Sequence, residues 1–324
     1  MAMLNSPQPL FISHNPGPVT VFLHGMVMAP VFWKTYAPDI CRQGTSVAYP
    51  LPGHAPWHLG EDTANLALDG IIEAYARAIS RDFPGRSVTL VGHSTGGFMA
   101  LGLAARHPEL IDGVVLMGAL ACGGLDGLQP FAMRLVRLRT FGQWTFERLL
   151  ALWISTPERF IRGARGCIAD ASAPLTRERD RHAIEQVRQA LAASRTSDIA
   201  ALVRLLSSSS LSGELGAIRC PCLNIVGSQD RVIHPGHQLR IQRAVPGMST
   251  MLLDGCGHLP MVERPAKVNR VMEAFMALRH LAAHSAGQAA EQESAVELPL
   301  ASDEKPRDVS IPGPVTDQIG SCAA

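Results

Sequence analysis

Segments with the pattern of β-strands alternate with segments with the pattern of helices along most of this 324-residue chain. The apolar, β-branched runs Val19–Leu23 and Ser87–Val91 are typical of buried strands. Between them, Thr63–Phe83 carries apolar residues at helical spacing. Such alternation favours a parallel sheet, because each parallel crossover needs a long connection, usually a helix. The sequence therefore predicts an α/β fold with a mostly parallel central sheet flanked by helices.

The same patterns give an order of elements along the chain. The predicted strands are Val19–Leu23, Ser46–Ala48, Ser87–Val91, Asp112–Met117, Cys222–Val226 and Ser249–Leu253. The predicted helices of this alternating part are Val31–Cys41, Thr63–Phe83, Phe98–His107, His237–Ala244 and Pro265–Leu281.

The alternation stops between Leu120 and Leu215, where no segment has the pattern of a strand. The helical segments of this region are Phe131–Arg139, Trp144–Trp153 and Thr176–Ser194. We therefore expect an all-helical insertion over 120–215, within a core formed by 1–119 and 216–282. Its 13 arginines against 9 acidic residues fit either solvated helix faces or an acidic substrate. The large apolar side chains of this region either line a substrate pocket or pack between helices, and we expect packing for most of them; they are Phe131, Leu135, Trp144, Leu149 and Trp153.

Composition excludes several classes of protein. With 47% hydrophobic and 18% charged residues, the chain can bury a large core, unlike a disordered protein. Its net charge of +1 gives no broad positive field for nucleic acid or an anionic membrane. The seven scattered cysteines and the absence of a long apolar stretch favour a reduced, cytoplasmic protein. The residues 283–324 lack aromatics and are mostly acidic where charged, so we expect a disordered tail.

A serine between closely spaced glycines follows one of the predicted strands. Gly92-His93-Ser94-Thr95-Gly96 comes directly after an apolar strand and directly before a helix. A strand that turns this abruptly into a helix strains the backbone of the middle residue, and only glycines allow the neighbouring backbones to approach. The pattern predicts that Ser94 is an exposed nucleophile at the carboxyl edge of the sheet, at the positive end of the following helix.

A serine hydroxyl needs a base to remove its proton, and two later motifs supply candidates. His258 follows the last predicted strand, and Asp230 follows the strand before it. Because the carboxyl ends of parallel strands share one edge of a sheet, Ser94, Asp230 and His258 are expected to converge. Asp254 is an alternative acid, but it precedes a glycine loop on the strand of the histidine itself, so we prefer Asp230.

With these motifs, the chain resembles the α/β-hydrolase fold family over about residues 19–280, in the group with a helical cap inserted after the sixth strand. The motifs that carry the resemblance are His24-Gly25, Pro52-Gly53-His54, the Ser94 turn, and Gly257-His258 followed by Glu263-Arg264-Pro265. The resemblance implies an oxyanion hole formed by the backbone N–H groups of Met26 and Thr95.

Two features depart from the family pattern. Only 23 residues precede His24, too few for two full leading strands, so we expect a sheet that is shortened at its first edge. The loop Pro50–Pro56 begins with proline where the family usually has aspartate. In the family this loop lines the entrance to the site, so a substrate preference does not carry over.

The other histidines and the close cysteine pair do not predict a metal site. His54-x-x-x-His58 and Cys220-x-Cys222 each lack a third ligand at a suitable spacing, and we expect no cofactor. The histidines that are interpreted as structural, holding loops by hydrogen bonds, are His24, His54 and His93.

On this resemblance we expect a serine hydrolase that cleaves a small-molecule carboxylic ester through an acyl-enzyme. One alternative is a thioesterase or acyltransferase acting on CoA-bound or carrier-bound acyl groups, and another is a non-catalytic ligand receptor on the same fold. The serine at position 94 excludes the dehalogenases and epoxide hydrolases of the family, which need aspartate there. Activity is expected to rise with pH through roughly pH 6–7, because only a neutral His258 accepts the proton.

Overall fold

The computed structural model describes residues 4–60, 63, 66–123, 139–169, 175 and 177–279. In this part of the chain seven strands form one sheet in the order β1-β3-β2-β4-β5-β6-β7. The strands are β1 Leu10–His14, β2 Val19–Leu23, β3 Thr45–Tyr49, β4 Val88–His93, β5 Ile111–Met117, β6 Cys222–Gly227 and β7 Ser249–Leu253. β1 is antiparallel to β3, and every other neighbouring pair is parallel. The mostly parallel sheet that the sequence predicts is therefore confirmed.

Helices connect the strands. They are α1 Phe32–Tyr36, α2 Leu68–Asp82, α3 Thr95–Arg106, α4 Arg139–Ile154, α5 Pro157–Arg165, α6 Glu178–Ala192, α7 Thr196–Ser208, α8 Pro235–Ala244, α9 Pro260–Glu263 and α10, residues 265–279. Short 3₁₀ helices cover Asp39–Gln43, Pro108–Leu110 and Leu215–Ala217. We call α4 to α7 and the described residues that join them (139–169, 175 and 177–208) the helical insertion. It follows the fifth described strand, β5, and not a sixth as the family pattern implies, because one strand and not two precedes β2 in the described residues. The predicted tail, 283–324, and most of the predicted helix Phe131–Arg139 lie outside the described residues.

The middle of the sheet is buried on both faces. Every residue of β2, β4 and β6 is buried, as expected for parallel strands with helices on either side. Helix α3 packs against the sheet so closely that ten of its residues are buried. These central strands end at the edge where the loops of the site begin, so the site is built on a rigid, fully packed support.

The predicted helix Val31–Cys41 is wrong in its length. It ends as α1 at Tyr36, Ala37 is extended, and Pro38 then caps the 3₁₀ helix Asp39–Gln43. A residue before proline is disfavoured in the helical region, and proline has no N–H to continue the ladder. The break at Pro38 therefore follows from the sequence, although apolar spacing alone suggested one helix.

At the first edge of the sheet, one strand, β1, precedes β2 in the described residues, in keeping with the short segment before His24. All the described elements belong to one unit, 1–280, and the second unit, 281–324, lies outside the described residues. Among the helices described, none combines the length and the apolar character needed to cross a bilayer.

Candidate active site

Ser94 stands on a strained turn between β4 and α3. Its φ is 52° and its ψ is −116°, a backbone region that residues other than glycine seldom adopt. A Cβ on Gly92 would lie 2.6 Å from the Cα of Gly97, and one on Gly96 would lie 2.2 Å from the carbonyl oxygen of Leu23. Both glycines of the motif are therefore required by the packing of the turn.

The predicted nucleophile and base meet at one cavity. Ser94 and His258 line a cavity of about 250 Å³, and both are nearly buried, with 7% and 4% of their surface exposed. Met26 and Thr95 line the same space. Thr95 is the first residue of α3, where backbone N–H groups have no partner within the helix, and the chain turns sharply after Met26, since Val27 has a φ of 57°.

His258 is bonded to Asp230. The Nδ1 atom of His258 lies 2.8 Å from the Oδ2 atom of Asp230. A carboxylate only accepts hydrogen bonds, so Nδ1 carries the hydrogen and donates, which leaves Nε2 as the free acceptor of a neutral ring. A general base needs this tautomer, because the nitrogen that accepts the proton is then the one that faces away from the carboxylate.

Asp230 is held by further hydrogen bonds. Its Oδ1 atom accepts from the backbone N–H groups of Val232 and Ile233 at 2.8 and 2.9 Å, and its Oδ2 atom accepts from Gln238 Nε2 at 2.8 Å. Burial raises the pKa of Asp230, but His258 and the backbone hydrogen bonds outweigh burial and hold it below the ordinary value. The carboxylate is therefore ionised wherever the histidine is neutral.

The rival acid lies elsewhere. Asp254 is exposed and its carboxylate accepts from the hydroxyl of Ser228 at 3.2 Å. The carboxylate bonded to His258 is that of Asp230, which follows β6.

His24, His54 and His93 hold loops through hydrogen bonds, as the sequence predicts. His24 donates from Nδ1 to the carbonyl of Gly25 at 2.8 Å and accepts at Nε2 from the N–H of Leu51 at 3.0 Å. His93 donates from Nε2 to the carbonyl of His258 at 2.9 Å. Burial, together with nearby His258, lowers the pKa of His93 to about 3. The ring therefore stays neutral while it supports the loop that carries His258.

His54 completes this group of buried rings. Its Nδ1 atom donates to the carbonyl of Pro52 at 3.2 Å, and its ring meets that of His24 edge-on at 5.1 Å. Burial lowers the pKa of His54 to about 4. His58, four residues along, is exposed, and the described residues contain no group of three or more histidine, cysteine or acidic side chains able to hold a metal ion.

Two residues of the site have no motif in the sequence. Gln238, on α8, is fully buried and carries the amide that bonds Asp230. Gly118, directly after β5, has a φ of 59°, and a Cβ there would lie 2.9 Å from the Nδ1 atom of His258. A glycine that ends a predicted strand was the only signal for Gly118, and the sequence held none for Gln238.

The cavity wall is apolar, and much of it comes from the helical insertion. Of the large apolar side chains for which the sequence allowed either pocket lining or packing, Trp153 lines the cavity. Trp144 and Leu149 are 55% and 44% exposed, so the packing expected for most of these residues does not hold for them. Phe131 and Leu135 lie outside the described residues. The insertion residues on the wall are Trp153, Phe160, Ala164, Cys167, Leu175, Ile184, Val187 and Val203. Apolar spacing could not distinguish these faces, since α4 carries large apolar residues on all sides.

Comparison with known proteins places this chain in a family. A sequence profile described as the alpha/beta hydrolase family matches residues 20–271. The pimeloyl-[acyl-carrier protein] methyl ester esterase of Nitrosomonas europaea is 26% identical over 259 residues, which cover 77% of this chain and 92% of that protein. The chain therefore belongs to the alpha/beta hydrolase family and is an enzyme of that fold.

Solved structures share the same fold. The enol-lactonase from Burkholderia xenovorans LB400 has a TM-score of 0.65 at 17% identity, covering 85% of this chain and 99% of that chain. A thermophilic esterase from Thermogutta terrifontis has a TM-score of 0.61 at 18% identity, covering 85% of this chain and 94% of that chain. At these identities the likeness concerns the fold, and the resemblance that the motifs suggest is confirmed.

Proposed function

We propose that this protein is a serine hydrolase that cleaves a carboxylic ester with Ser94 as nucleophile, His258 as general base and Asp230 as the acid that orients the base. The observation that carries the proposal is the cavity shared by Ser94 and His258, with the far side of the imidazole bonded to an ionised carboxylate. That arrangement is what nucleophilic catalysis by a hydroxyl requires.

In the first half of the reaction the acyl group moves to the enzyme. His258 Nε2 takes the proton of the Ser94 hydroxyl as its oxygen attacks the ester carbonyl carbon, and the carbonyl electron pair moves to oxygen. The backbone N–H groups of Met26 and Thr95 donate to this oxyanion, and each such bond contributes about 3 kcal/mol in comparable sites. The intermediate collapses, the C–O bond to the alcohol breaks, and His258 gives its proton to the leaving oxygen.

In the second half water releases the acid. His258 takes a proton from water, and the hydroxyl oxygen attacks the carbonyl carbon of the acyl-enzyme. Collapse then breaks the bond between that carbon and the Ser94 oxygen, which takes the proton from His258. Asp230 keeps the ring in the tautomer with hydrogen on Nδ1 and stabilises the imidazolium in both halves. Since Asp230 has a lowered pKa, it stays ionised throughout.

The substrate that fits best has a small or medium apolar acyl part. The cavity of about 250 Å³ is lined almost entirely by apolar side chains from the sheet edge and the helical insertion. We assign 120–215 as a cap that sets this specificity over a core of 1–119 and 216–282. The curated relative named as a methyl ester esterase supports an ester as the substrate.

The test compares esters with thioesters. The purified protein is expected to hydrolyse p-nitrophenyl butyrate faster than butyryl-CoA and to be labelled by a fluorophosphonate. Ser94→Ala is expected to lose on the order of 10⁵–10⁶-fold in kcat and all labelling, because the nucleophile is gone. Ser87→Ala, at an exposed serine preceding β4, is the matched control and should behave as the unaltered protein.

Each other outcome assigns a different function. Faster turnover of butyryl-CoA would replace the esterase with a thioesterase. Absence of both labelling and turnover, with no difference between Ser94→Ala and the unaltered protein, would leave a ligand receptor on this fold.

A further inference from the structure

The side chain of Glu263, at the end of α9, accepts hydrogen bonds from the loop that carries His258 and from the helical insertion. Its Oε1 atom accepts from the N–H groups of Gly257 and Leu259 at 2.9 and 3.4 Å, which flank His258 on either side. Its Oε2 atom accepts from the N–H of Ala169 at 2.8 Å, in the helical insertion. The side chain is nearly buried, with 6% of the residue exposed, and a buried carboxylate persists only where such donors satisfy it.

A second contact connects the same two segments. The N–H of His258 itself donates to the carbonyl of Cys167 at 2.7 Å. A Cβ on Gly257 would lie 2.6 Å from the nitrogen of Ala169 and 2.9 Å from the carbonyl oxygen of Cys167. The loop of the base and residues 167–169 are therefore in backbone contact, with no room for a side chain between them.

The core holds the same loop from the other side. The carbonyl of His258 accepts from the ring of His93, and its imidazole donates to Asp230. The carbonyl of His258 is thus held by His93, at the sheet edge, and its N–H group is held by the insertion. Cys167 also lines the cavity beside Ser94, so the segment that supports the base borders the substrate space.

We propose that Glu263 is a positioning residue that fixes His258 by joining its loop to residues 167–169 of the helical insertion. This inference rests on the proposed function, because it assigns the support of the base used there. With the carboxylate lost, three of the four hydrogen bonds that join the loop, Glu263 and the insertion disappear, and only the bond from the His258 N–H to Cys167 still ties the loop to the insertion. The imidazole then leaves its productive place in part of the molecules. A displacement of about 1 Å costs on the order of 100-fold in rate.

The first test is Glu263→Gln, which keeps the size of the side chain. One oxygen becomes an NH₂ group that faces a backbone N–H, so one of the two ties is broken whichever way the amide turns. We expect kcat to fall about 10- to 100-fold with KM little changed, because Glu263 is outside the cavity wall. Glu273→Gln, an exposed residue on α10, is the matched control and should leave both constants unchanged.

A second variant approaches the same contact by steric means. Gly257→Ala places a methyl group against Ala169 and Cys167 and should give the same loss of kcat. A readout independent of turnover is the proton resonance of the His258 Nδ1–H group, shifted downfield by its bond to Asp230. We expect this resonance to broaden or disappear in both variants and to persist in the control.

The outcomes separate the two claims. Unchanged kcat and an unchanged ring resonance in Glu263→Gln would overturn the positioning role, and so would a lower melting temperature without loss of kcat in the folded enzyme. If the unaltered protein hydrolyses no ester, the proposed function fails, and the ring resonance alone then decides whether Glu263 fixes the histidine.

Discussion

Asp230 shows how much support a single charged side chain needs inside this protein. Its two oxygens accept four hydrogen bonds, from two backbone N–H groups, Gln238 and His258. Burial raises the pKa of Asp230, but His258 and the two backbone N–H groups favour the ionised form more strongly and hold the pKa below its ordinary value. Activity should therefore follow the protonation of the base, and not that of the acid, across the neutral range.

Asp230→Asn tests this role at constant size. The amide removes the charge that stabilises the imidazolium and favours the wrong ring tautomer, so we expect kcat/KM to fall about 10⁴-fold. Ester hydrolysis at neutral pH is the measurement. Asp254→Asn, at the exposed acid on the neighbouring loop, should retain full activity, and a comparable loss there would reassign the acid.

At the scale of elements, the turn from β4 into α3 has no room for a side chain at its glycines. Ser94 adopts a positive φ, while Gly92, Gly96 and Gly97 let β4, α3 and the neighbouring strand ends approach. The carbonyl of Met117 on β5 accepts the N–H of Ser94 at 2.9 Å. The strain at Ser94 is maintained because the surrounding elements leave the chain no other path.

Gly96→Ala is expected to cost about 3 kcal/mol or more in the free energy of unfolding. The new methyl group would overlap the carbonyl oxygen of Leu23, which belongs to the rigid strand β2 and cannot move aside. Gly70→Ala on α2 is the matched control, because no atom lies within 4 Å of its Cβ, and it should gain up to about 1 kcal/mol. Urea unfolding measures both, and equal midpoints would show that the turn relaxes.

For the molecule as a whole, the buried histidines make the free energy of unfolding depend on pH. His54 and His93 have pKa values lowered to about 4 and 3, and burial also lowers the pKa of His24. Unfolded histidines bind protons below about pH 6.5, whereas these rings stay neutral in the fold. The unfolded chain then binds more protons, so stability is full above about pH 6.5 and falls as the pH drops toward 4.

His54→Gln should reduce this dependence. Each buried ring contributes a slope of up to about 1.4 kcal/mol per pH unit, and the variant lacks one of them. The free energy of unfolding measured between pH 7 and 4 should decline less steeply than in the unaltered protein, whatever its absolute value. His58→Gln, in the same loop but exposed, should keep the full slope, and parallel curves for both variants would contradict the assignment.

What could be predicted from the sequence follows a physical division. Ser94, Asp230 and His258 each follow a strand, and the parallel sheet alone brings strand ends to one edge. Glu263 belongs to a family motif and Trp153 to an apolar helix, but neither pattern shows what these side chains contact, and Gln238 lies in no motif at all. Their contacts depend on how separate helices pack against the loops. The site residues could therefore be predicted from local patterns, whereas the contacts that support them could not.

The backbone contact between the insertion and the histidine loop also bears on redesign. Exchanging α4 to α7 for those of another alpha/beta hydrolase would alter the cavity, since these helices form much of its wall. Such a chimera must retain residues 167–169 together with Gly257 and Glu263. A chimera that does not preserve this contact would change the cavity wall and displace His258 at the same time.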